Sequence, residues 1–412
     1  MINWQEVKLG DICEITSSKR IFMADYVTSG IPFYRSKEII EKQRGNNIST
    51  ELFITEEKYE EIKQKFSVPQ EGDILLTSVG TLGIPYVVRK NERFYFKDGN
   101  LTWIKKSNSL LPEYLYYFLV SSEGKIKLEN ISIGTTQKAI TIVGLKTLEI
   151  TLPPIEIQKK ISSLLKTIDD KIELNNKINN NLEQQFKLLY NYYFCIDSSE
   201  LWNTVPFSKI ISFQEGPGIR NWQYVTEKGI KFINIRCINN GDLDTSTANM
   251  ISIDEANNKY KHFLLDKGDI VMSCSGTLGR YAIVREEHLP LCLNTSVIRF
   301  KPVEQIEDFS YIYGYLTSPE FLNKQREMAC GSVQSNFGPT HLKKIFIKEP
   351  PIQLRREFHK IAYPIIKMLL TNRTENTNLS TLRDTLLPKL MKGEIDVSKV
   401  NISADKLSFT DK

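Results

Sequence analysis

The sequence lacks any apolar run long enough to cross a membrane. A membrane-spanning helix needs about 18 consecutive apolar residues, and the most apolar stretch of this chain covers only residues 114–120, which predicts a short buried helix. The first residues, 1–6, contain neither the basic segment nor the apolar core of a secretion signal. We therefore expect a cytoplasmic protein with no membrane segment.

The chain also has little of what metal binding and disulfide formation require. Its six cysteines are scattered without a Cys-x-x-Cys pair, and its four histidines form no ligand pattern with them. His288 and Cys292 stand four residues apart, but Pro290 between them argues against a shared helical face. The cysteines are most simply small buried hydrophobic residues of a protein in a reducing compartment. We expect no metal site.

What the chain does have is enough apolar material for two domains and a mild excess of positive charge. It has 412 residues, of which 41% are hydrophobic and 25% charged, and its formal net charge is +5. Length and composition predict two globular domains, each with its own core. The charge is compatible with a polyanionic partner, but many proteins without one are equally basic. Charge alone therefore decides nothing about function.

The second half of the sequence repeats the first. The segment Gly72–Gly83, with the sequence GDILLTSVGTLG, returns as GDIVMSCSGTLG at Gly268–Gly279, which is 196 residues later. LPPIEIQ at residues 152–158 returns as EPPIQLR at residues 349–355. Two copies at one long period indicate tandem domains rather than a solenoid of many short repeats.

Each copy has the same predicted order of elements. A mixed strand and turn region comes first, in which Gly-Asp-Ile enters a strand and Gly-Thr-Leu-Gly closes it in a tight loop where glycine adopts positive φ. Short aromatic helices are predicted at 112–121 and 308–318. A Pro-Pro pair then precedes a long helical segment in each copy.

Both long segments carry an apolar seam of alternating three- and four-residue steps, which is typical of a helix that packs on another helix. The first seam comprises Ile157, Ile161, Leu164, Ile168, Ile178, Leu182 and Leu189, and the second Leu354, Phe358, Ile361, Ile365, Met368, Leu379, Leu382 and Leu386. The obvious partner of each helix is the helix of the other copy. The alternative is two amphipathic helices, each on its own domain. Against that alternative, about 37 residues at roughly 1.5 Å each span about 55 Å, more than the face of such a domain.

Two features interrupt the seams. Asn175 and Asn372 occupy equivalent positions at the middle of the two segments. If the helices run antiparallel, both asparagines fall near the centre, and two arrangements are open: they face one another, where a buried asparagine fixes the register, or both point into solvent. Pro364 removes a backbone donor inside the second segment and predicts a kink near Tyr363.

The alternation of a variable domain and a Pro-Pro helix, repeated once, resembles the specificity subunits of type I restriction-modification systems. The resemblance covers residues 1 to about 395. Its matching pieces are the duplicated Gly-Asp-Ile and Gly-Thr-Leu-Gly phrases, GTTQ at 134–137 with GSVQ at 331–334, PPIEIQ at 153–158, IDDKIELNN at 168–176 and LLPKLMKGEI at 386–395. The second copy departs from the pattern at Pro364 and at residues 371–374, which affects local helix geometry rather than the resemblance itself.

The resemblance implies an α+β fold with pseudo-twofold symmetry. Two similar mixed α/β target recognition domains would be separated by two long helices packed as an antiparallel coiled coil. The expected order is a first recognition domain at 1–154, a spacer helix at 155–195, a second recognition domain at 196–351, a second spacer helix at 352–393 and a C-terminal tail at 394–412.

The resemblance also implies a function and partners. Each domain would recognise one half of a bipartite, asymmetric site on double-stranded DNA, and the coiled coil would set the gap. Two methyltransferase (modification) subunits would dock on the chain, and restriction translocase subunits would join through them. The chain itself would be non-catalytic and bind no cofactor, because S-adenosylmethionine, ATP and Mg²⁺ would be bound by the partner subunits.

A DNA-binding surface needs Arg and Lys for phosphates and Arg, Asn, Gln, Ser or Thr for base edges, and loops beside the repeated motifs are the natural place for them. In the first domain the candidates are Lys19, Arg20, Tyr34, Arg35, Ser36, Lys37, Ser78, Thr81, Gln137 and Lys138. In the second they are Arg220, Asn221, Trp222, Tyr224, Asn234, Arg236, Ser275, Thr277, Arg280, Gln334, Ser335 and Asn336. For each residue the alternative is an ordinary solvated position, and Trp222 would alternatively pack inside its loop.

Enzyme classes find little support in the sequence. The Pro-Pro-Ile pieces at 153–155 and 350–352 are similar to the Asn/Asp-Pro-Pro-Tyr/Phe motif of amino-methylating DNA methyltransferases. Both lack the aromatic residue that stacks on a flipped base, and the first lacks the leading amide or carboxylate. A self-contained methyltransferase is therefore disfavoured. A protein-only adaptor whose domains bind no DNA remains the other alternative.

Overall fold

The computed structural model describes residues 4–43, 45, 48, 50–135, 138–195, 201–239, 241–329 and 336–398. The chain divides into two units, the first consisting of Met1–Glu173 with Leu379–Lys412 and the second of Leu174–Asn378. Two long helices run through both ranges, so each unit contains one part of each helix. Among the described residues no helix is both long and apolar enough to span a bilayer.

The strands of the first unit are short. They are β1 (Gln5–Lys8), β2 (Ile15–Thr16), β3 (Ile31–Tyr34), β4 (Phe53–Ile54), β5 (Ile74–Thr77), β6 (Pro85–Val87), β7 (Tyr95–Phe96), β8 (Leu101–Ile104), β9 (Ser132–Ile133), β10 (Ala139–Ile140) and β11 (Glu149–Leu152). The helices of this unit are α1 (Leu9–Ile12), α2 (Ser36–Gln43), α3 (Glu56–Phe66), α4 (Pro112–Val120), α5 (Ser122–Asn130) and α6 (Ile142–Lys146), followed by the long helix α7 (Ile155–Phe194).

Two small sheets form the centre of the first unit. One has the order β2-β8-β5-β6 with antiparallel neighbours, and the other has the order β4-β3-β7, in which β3 and β7 run parallel. Strand β5 is buried on both faces, because Ile74 and Leu76 lie in one apolar cluster and Leu75 in another. The buried carboxylate of Asp73 accepts a hydrogen bond from the indole N–H of Trp103 at 2.9 Å. The Gly-Asp-Ile motif therefore anchors the entry into a central strand.

The second unit has strands β12 (Thr204–Pro206), β13 (Ile211–Glu215), β14 (Tyr224–Val225), β15 (Gly229–Ile233), β16 (Ile238–Asn239), β17 (Asp242–Leu243), β18 (Asn249–Ser252), β19 (Ile270–Ser273), β20 (Tyr281–Ile283), β21 (Leu291–Leu293), β22 (Val297–Pro302) and β23 (Phe346–Lys348). Its helices are α8 (Ile253–Asn257), α9 (Asp308–Thr317), α10 (Pro319–Met328), α11 (Pro339–Leu342) and the long helix α12 (Ile352–Met391). The short aromatic helices predicted in both copies correspond to α4 and α9.

The second unit repeats the topology of the first. Its sheets have the orders β13-β22-β19-β20 and β14-β18-β15-β21, and β15 and β21 are parallel as β3 and β7 are. The two units also share individual backbone hydrogen bonds at equivalent positions. The N–H of Val88 donates to the carbonyl of Asp73 at 2.8 Å, and the N–H of Val284 donates to the carbonyl of Asp269 at 2.8 Å. The prediction of two similar mixed α/β domains is confirmed.

Within the second unit, α7 and α12 pack antiparallel. Phe186 and Tyr190 of α7 place their ring centres 5.8 and 6.1 Å from that of Phe358 on α12. Towards the start of α7, Asn179 accepts a hydrogen bond from Asn372 at 2.9 Å. Later residues of α7 thus contact earlier residues of α12, so the two helices run in opposite directions.

The same two helices also meet within the first unit. Asp169 of α7 accepts a hydrogen bond from Arg383 of α12 at 2.8 Å. Leu165 of α7 belongs to the same buried cluster as Leu387 and Leu390 of α12. The predicted pairing of the two long helices is confirmed in both units.

The asparagines at the middle of the helices are placed differently from either expectation. Asn175 is buried, but its amide donates to Glu375 at 2.8 Å and to Asn376 at 2.9 Å. Asn372 is half-buried and pairs with the buried Asn179. An amide that leaves water needs several hydrogen-bond partners, and acidic and amide side chains one turn away supply them. The arrangement in which Asn175 and Asn372 face each other is wrong, and so is the one in which both point into solvent; a polar ladder takes the place of a single pair.

The seam predicted for α12 is confirmed in part, because Phe358 is buried and Leu354, Ile365 and Leu386 pack against the buried clusters. Three of its members are largely exposed: Ile361 at 49%, Met368 at 54% and Leu382 at 48%. The column that packs comprises Phe358, Ala362, Ile366 and Leu369. On α7, Leu164 and Leu189 are half-buried, whereas Leu165, Phe186 and Tyr190 are buried. Both columns are apolar, and periodicity alone does not choose between neighbouring columns.

Pro364 does not end the second long helix. Helix α12 continues from Ile352 to Met391, and Pro364 lies on its exposed side. The kink near Tyr363 stays a prediction.

We expect Phe358→Ala to lower the free energy of unfolding by about 3–5 kcal/mol, because it removes a fully buried ring from the contact between α7, α12 and the second core. Ile361→Ala, one turn away on the same helix, is the matched control and is expected to change stability by less than about 1 kcal/mol. Urea unfolding followed by far-UV circular dichroism measures both. A larger loss for Ile361→Ala than for Phe358→Ala would contradict the packing described here.

Candidate nucleic-acid interface

Two parallel strands of the second unit end side by side, and the segments that follow them form a polar edge. β15 ends at Ile233 and β21 ends at Leu293, and these two residues are paired. The N–H of Asn294 donates to the carbonyl of Ile233 at 3.1 Å, and the N–H of Ile235 donates to the hydroxyl of Ser296 at 3.3 Å. Loops that leave the carboxyl ends of parallel strands are a common place for ligand contacts.

The loop after β19 closes against the same edge. The hydroxyl of Ser273 accepts a hydrogen bond from the N–H of Arg280 at 2.9 Å, so it fixes the span of the loop between them. The N–H of Cys274 donates to the carbonyl of Ser296 at 2.9 Å, which joins the loop to the segment after β21. Gly276 turns the chain at φ +69°, a conformation that favours glycine.

These segments bring together several predicted residues on a surface that we call the second edge. It consists of Asn234, Arg236, Asn239, Ser275, Thr277, Arg280, Asn294, Thr295, Ser296 and Asn336. Asn234 accepts a hydrogen bond from the N–H of Arg236 at 2.9 Å, and the Arg236 side chain is exposed. Nη1 of Arg280 donates to Oδ1 of Asn239 at 3.4 Å. Guanidinium, amide and hydroxyl groups thus lie together, as phosphate and base-edge contacts require.

Four members of the second edge were missed by sequence reasoning, namely Asn239, Asn294, Thr295 and Ser296. The sequence offered one usable indication for the last three. A polar Asn-Thr-Ser run follows the apolar residues of β21 directly, as the polar Asn234 follows β15. What the sequence does not show is that β15 and β21 are parallel neighbours, although they are far apart in the chain.

The candidates at 220–224 lie elsewhere in the second unit. Tyr224 pairs with Ile251, which pairs in turn with Ile230 near the start of β15, so this turn lies at the opposite end of β15 from Asn234. Arg220, Asn221 and Trp222 are exposed there. Trp222 is 80% exposed, which rules out the alternative that it packs inside its loop.

The first unit has a corresponding surface after β3 and β7, which we call the first edge. It consists of Arg20, Arg35, Ser36, Thr81, Ile84, Asp98 and Asn100. Ser36 donates from its hydroxyl to the carbonyl of Asn100 at 3.3 Å, and the N–H of Ser78 donates to the same carbonyl at 2.8 Å. Arg20 reaches this edge through a salt bridge of 3.0 Å with Asp98.

Most other exposed candidates of this unit have their own partners: Lys37 lies 3.8 Å from Glu41, Lys138 lies 2.8 Å from Glu129, and the Lys19 ammonium lies 4.6 Å from the Phe66 ring centre. Thr81 is exposed in its loop.

Arg35 differs from Arg236 because it is held by a buried acid. Its guanidinium contacts Glu38 at 2.8 Å, and the Glu38 side chain is 0% exposed. The hydrogen bond to Glu38 raises the pKa of Arg35 above its usual value. Removing the Arg35 side chain would leave a buried carboxylate without its partner, so this residue also has a structural task.

Two of the candidates lie in the core rather than on a surface. Tyr34 is buried and its ring stacks on that of Phe94 at 4.8 Å. Ser78 is buried and its hydroxyl lies 2.7 Å from that of Thr102. Their side chains are therefore engaged in packing within the unit. Gln137, Gln334 and Ser335 lie outside the described residues.

Comparison with known proteins agrees with this architecture. The family model of the type I restriction modification DNA specificity domain matches residues 1–184 and 200–380. The type I restriction enzyme HindI specificity subunit of Haemophilus influenzae is 23% identical over 474 residues, covering 96% of this chain and 100% of that one. The MjaIX specificity subunit of Methanocaldococcus jannaschii is 24% identical, covering 97% of this chain and 95% of that one.

A solved structure shows the same fold. The crystal structure of the type I restriction-modification system S subunit from M. genitalium superposes with a TM-score of 0.58 at 17% identity, over 94% of this chain and 96% of that one. Together with the duplicated match of the family model, this defines a two-domain DNA-specificity protein. The chain belongs to the specificity subunits of type I restriction-modification systems.

We expect Arg236→Ala to weaken binding to the preferred DNA by about 1–3 kcal/mol and to relax the sequence preference at the base it contacts. Binding is measured by fluorescence anisotropy with duplexes that carry single base changes. Lys209→Ala removes the same charge from a salt bridge with Glu349, outside the second edge, and serves as the control for net charge. Equal affinities for Arg236→Ala and the unmodified protein would remove Arg236 from the interface.

Proposed function

We propose that this chain recognises a bipartite, asymmetric DNA sequence, with one half-site bound by each unit. The observation that carries the proposal is the pair of corresponding edges, which share a backbone scaffold and differ in side chains. The N–H groups of Ile84 and Arg280 make the same 2.9 Å hydrogen bond to the hydroxyls of Thr77 and Ser273. At this position the first unit has the apolar side chain of Ile84, and the second unit has the guanidinium of Arg280. We therefore expect the two edges to recognise different bases.

The chemistry of the edges suits double-stranded DNA. Arginine supplies a bidentate donor for guanine or phosphate, and asparagine pairs with the donor and acceptor of adenine in the major groove. The second edge holds Arg236 and Arg280 beside Asn234, Asn294 and Asn336. Phosphate contacts position such a surface on the duplex, and the amide and hydroxyl groups then provide the discrimination between bases.

We further propose that the paired helices set the gap between the half-sites. Each helix has 40 residues, which at about 1.5 Å per residue gives a rod of roughly 60 Å. Two recognition units on one face of B-DNA need centres about 34–36 Å apart, or a multiple of that distance. A stiff helical pair holds such a separation, whereas a flexible linker lets it vary.

In this proposal the chain performs no chemistry of its own. It acts in the cytoplasm and docks two methyltransferase subunits, and the restriction subunits join through these. S-adenosylmethionine, ATP and Mg²⁺ belong to those partners. The support for this division of labour is membership of the specificity-subunit family.

The direct test is to replace residues 1–154 with the corresponding residues of another family member and to map methylated adenines in a genome that carries the chimera with its methyltransferase. We expect a gapped motif in which one half changes and the other half and the gap are retained. The unmodified chain, expressed with the same methyltransferase, is the control. A change in both halves would contradict the assignment of one half-site to each unit.

The salt dependence of DNA affinity distinguishes the proposed function from the alternative of a protein adaptor that binds no DNA. Neutralising Z phosphates gives a slope near −0.9Z in the logarithm of affinity against the logarithm of salt concentration. We expect a slope steeper than about −3 for the full-length chain without its partner subunits, measured on its own motif. A flat dependence would favour the adaptor.

The role of the helices is tested by inserting seven residues into α7 after Glu173 and seven into α12 after Asn378, which preserves the helix pairing within each unit. Seven residues add about 10 Å to a helix, so we expect the preferred gap between the half-sites to lengthen. Methylation mapping gives the gap and both half-sites. Altered half-sites with an unchanged gap would refute the measuring role.

A further inference from the structure

A short hairpin of the second unit is continuous with the second edge. Strands β16 and β17 form the hairpin, and the short 3-10 turn that presents Arg236 leads directly into β16. Asn239 in β16 is the acceptor for Arg280. The hairpin turn includes Gly241 at φ +75°. A shift of this hairpin would therefore also move Arg236 and Asn239 of the second edge.

Arg373 of α12 binds the hairpin turn and α7 together. Its side chain is 8% exposed, and Nη2 donates to Oε1 of Glu183 on α7 at 2.8 Å. Nη1 donates to the carbonyl oxygen of Gly241. A β-carbon added to Gly241 would lie 2.6 Å from Nη2 of Arg373. The positive φ favours glycine at the turn, and an added β-carbon would displace the end of the Arg373 side chain from its contact.

A second arginine holds the other side of the hairpin. Arg285 is 5% exposed in its side chain, and it donates from Nη1 to Asp242 of β17 and from Nε to Glu287. Glu287 also accepts a hydrogen bond from Thr374 of α12 at 2.7 Å. Burial opposes ionisation of Glu287, but the hydrogen bonds from Thr374 and Arg285 outweigh it and hold its pKa below the usual value. Two consecutive residues of α12, Arg373 and Thr374, thus reach the hairpin by separate routes.

These contacts fix the hairpin more firmly than its own strands do. β16 and β17 have two residues each, and a hairpin of that size is not stable by itself in water. A buried guanidinium is stable only while its partners stay in place, because its charge has lost the hydration of bulk water. A shift of the hairpin would break the contact of Arg373 with Gly241 and that of Arg285 with Asp242. Arg373 and Thr374 therefore add the long helix α12 to the groups that hold the hairpin, beside the apolar cluster that buries Cys237, Ile238 and Leu243.

We propose that Arg373 is a positioning residue for DNA recognition: by holding the β16–β17 hairpin against α7 and α12, it sets where Arg236 and Asn239 meet the half-site of the second unit. The proposal rests on the function proposed above and adds that this recognition depends on a residue of the helix. The corresponding position of the first long helix is Asn176, which carries no charge and bonds with Asn376. The effect is therefore expected at one half-site only.

The test is Arg373→Met, which keeps an unbranched side-chain stem and removes the charged guanidinium with its hydrogen bonds. The variant is expressed with the methyltransferase subunit, and methylated adenines are mapped across the genome. We expect the fraction of methylated sites that depart from the normal consensus in the second-unit half to rise about tenfold, as expected when a base contact is displaced, while the other half stays unchanged. The half that does not change in the exchange of residues 1–154 identifies the half-site of the second unit.

Two further variants make the result specific. Gly241→Ala disturbs the same contact without removing a charge, and we expect it to relax the same half-site, also when Arg373→Met fails to fold. Arg383→Met is the matched control, because this arginine of α12 also pairs with an acidic residue of α7, here Asp169 at 2.8 Å, but lies in the first unit. We expect it to leave both half-sites unchanged.

The outcomes separate the two proposals. Unchanged consensus sequences in folded complexes of Arg373→Met and Gly241→Ala would overturn the positioning role and leave the proposed function standing. An equal loss at both half-sites would show that Arg373 acts only through stability, and would overturn it as well. If the unmodified complex marks no gapped motif, the proposed function itself fails.

Discussion

The packing of Phe358 into the second core is the interaction on which much of the second unit depends. This ring of α12 is fully buried against Phe186, Tyr190 and Phe194 of α7. The same buried cluster continues into β13, β19, β22 and α9. The long helices are therefore part of the domain core and not an attached rod. Because cores are close-packed and resist deformation, a domain that shares its core with a helix keeps one orientation on that helix. The first unit follows the same rule, since Ile161 and Leu165 of α7 and Leu390 of α12 lie in one cluster with β5.

The parts of the fold that the sequence predicts are those that act locally or repeat. The duplicated Gly-Asp-Ile phrase predicts a turn into a strand, because the glycine supplies positive φ and the aspartate closes the turn through its own carboxylate. Tyr114 and Tyr311 lie in the aromatic helices expected from short apolar runs, and both donate to strand carbonyls, at 2.7 and 3.0 Å. The long helices follow from an apolar period sustained over many turns. Each of these inferences needs only residues that are close together in the chain.

What the sequence does not predict is decided by distant residues. Tyr34 and Ser78 have side chains suited to DNA, yet the neighbouring strands β7 and β8 bury them. Asn294–Ser296 belong to the second edge only because β21 lies parallel to β15, which no local pattern indicates. The exposed members of the seam predicted for α12 have a similar origin, since Ile361 and Ala362 are both apolar and only the surrounding core selects between them. Arg373 is the clearest case: a charged residue within a long helix is usually solvated, and its burial depends on a glycine more than a hundred residues earlier in the chain.

The two edges show how one scaffold supports different recognition. Their shared hydrogen bonds join backbone groups to backbone groups or to small hydroxyls, as the bonds of Ser78 to Asn100 and of Cys274 to Ser296 illustrate. Such bonds constrain the path of the chain but leave most side chains of the edge free to differ. Substitution there changes the chemical surface at little cost to the fold, because exposed side chains contribute little to stability. The hairpin at Gly241 differs, since the side chains of Arg373 and Arg285 hold it in addition to its own short backbone ladder. Recognition by the second unit is thereby coupled to the identity of residues on the helices, whereas the first edge is built from groups within its own sheets and loops.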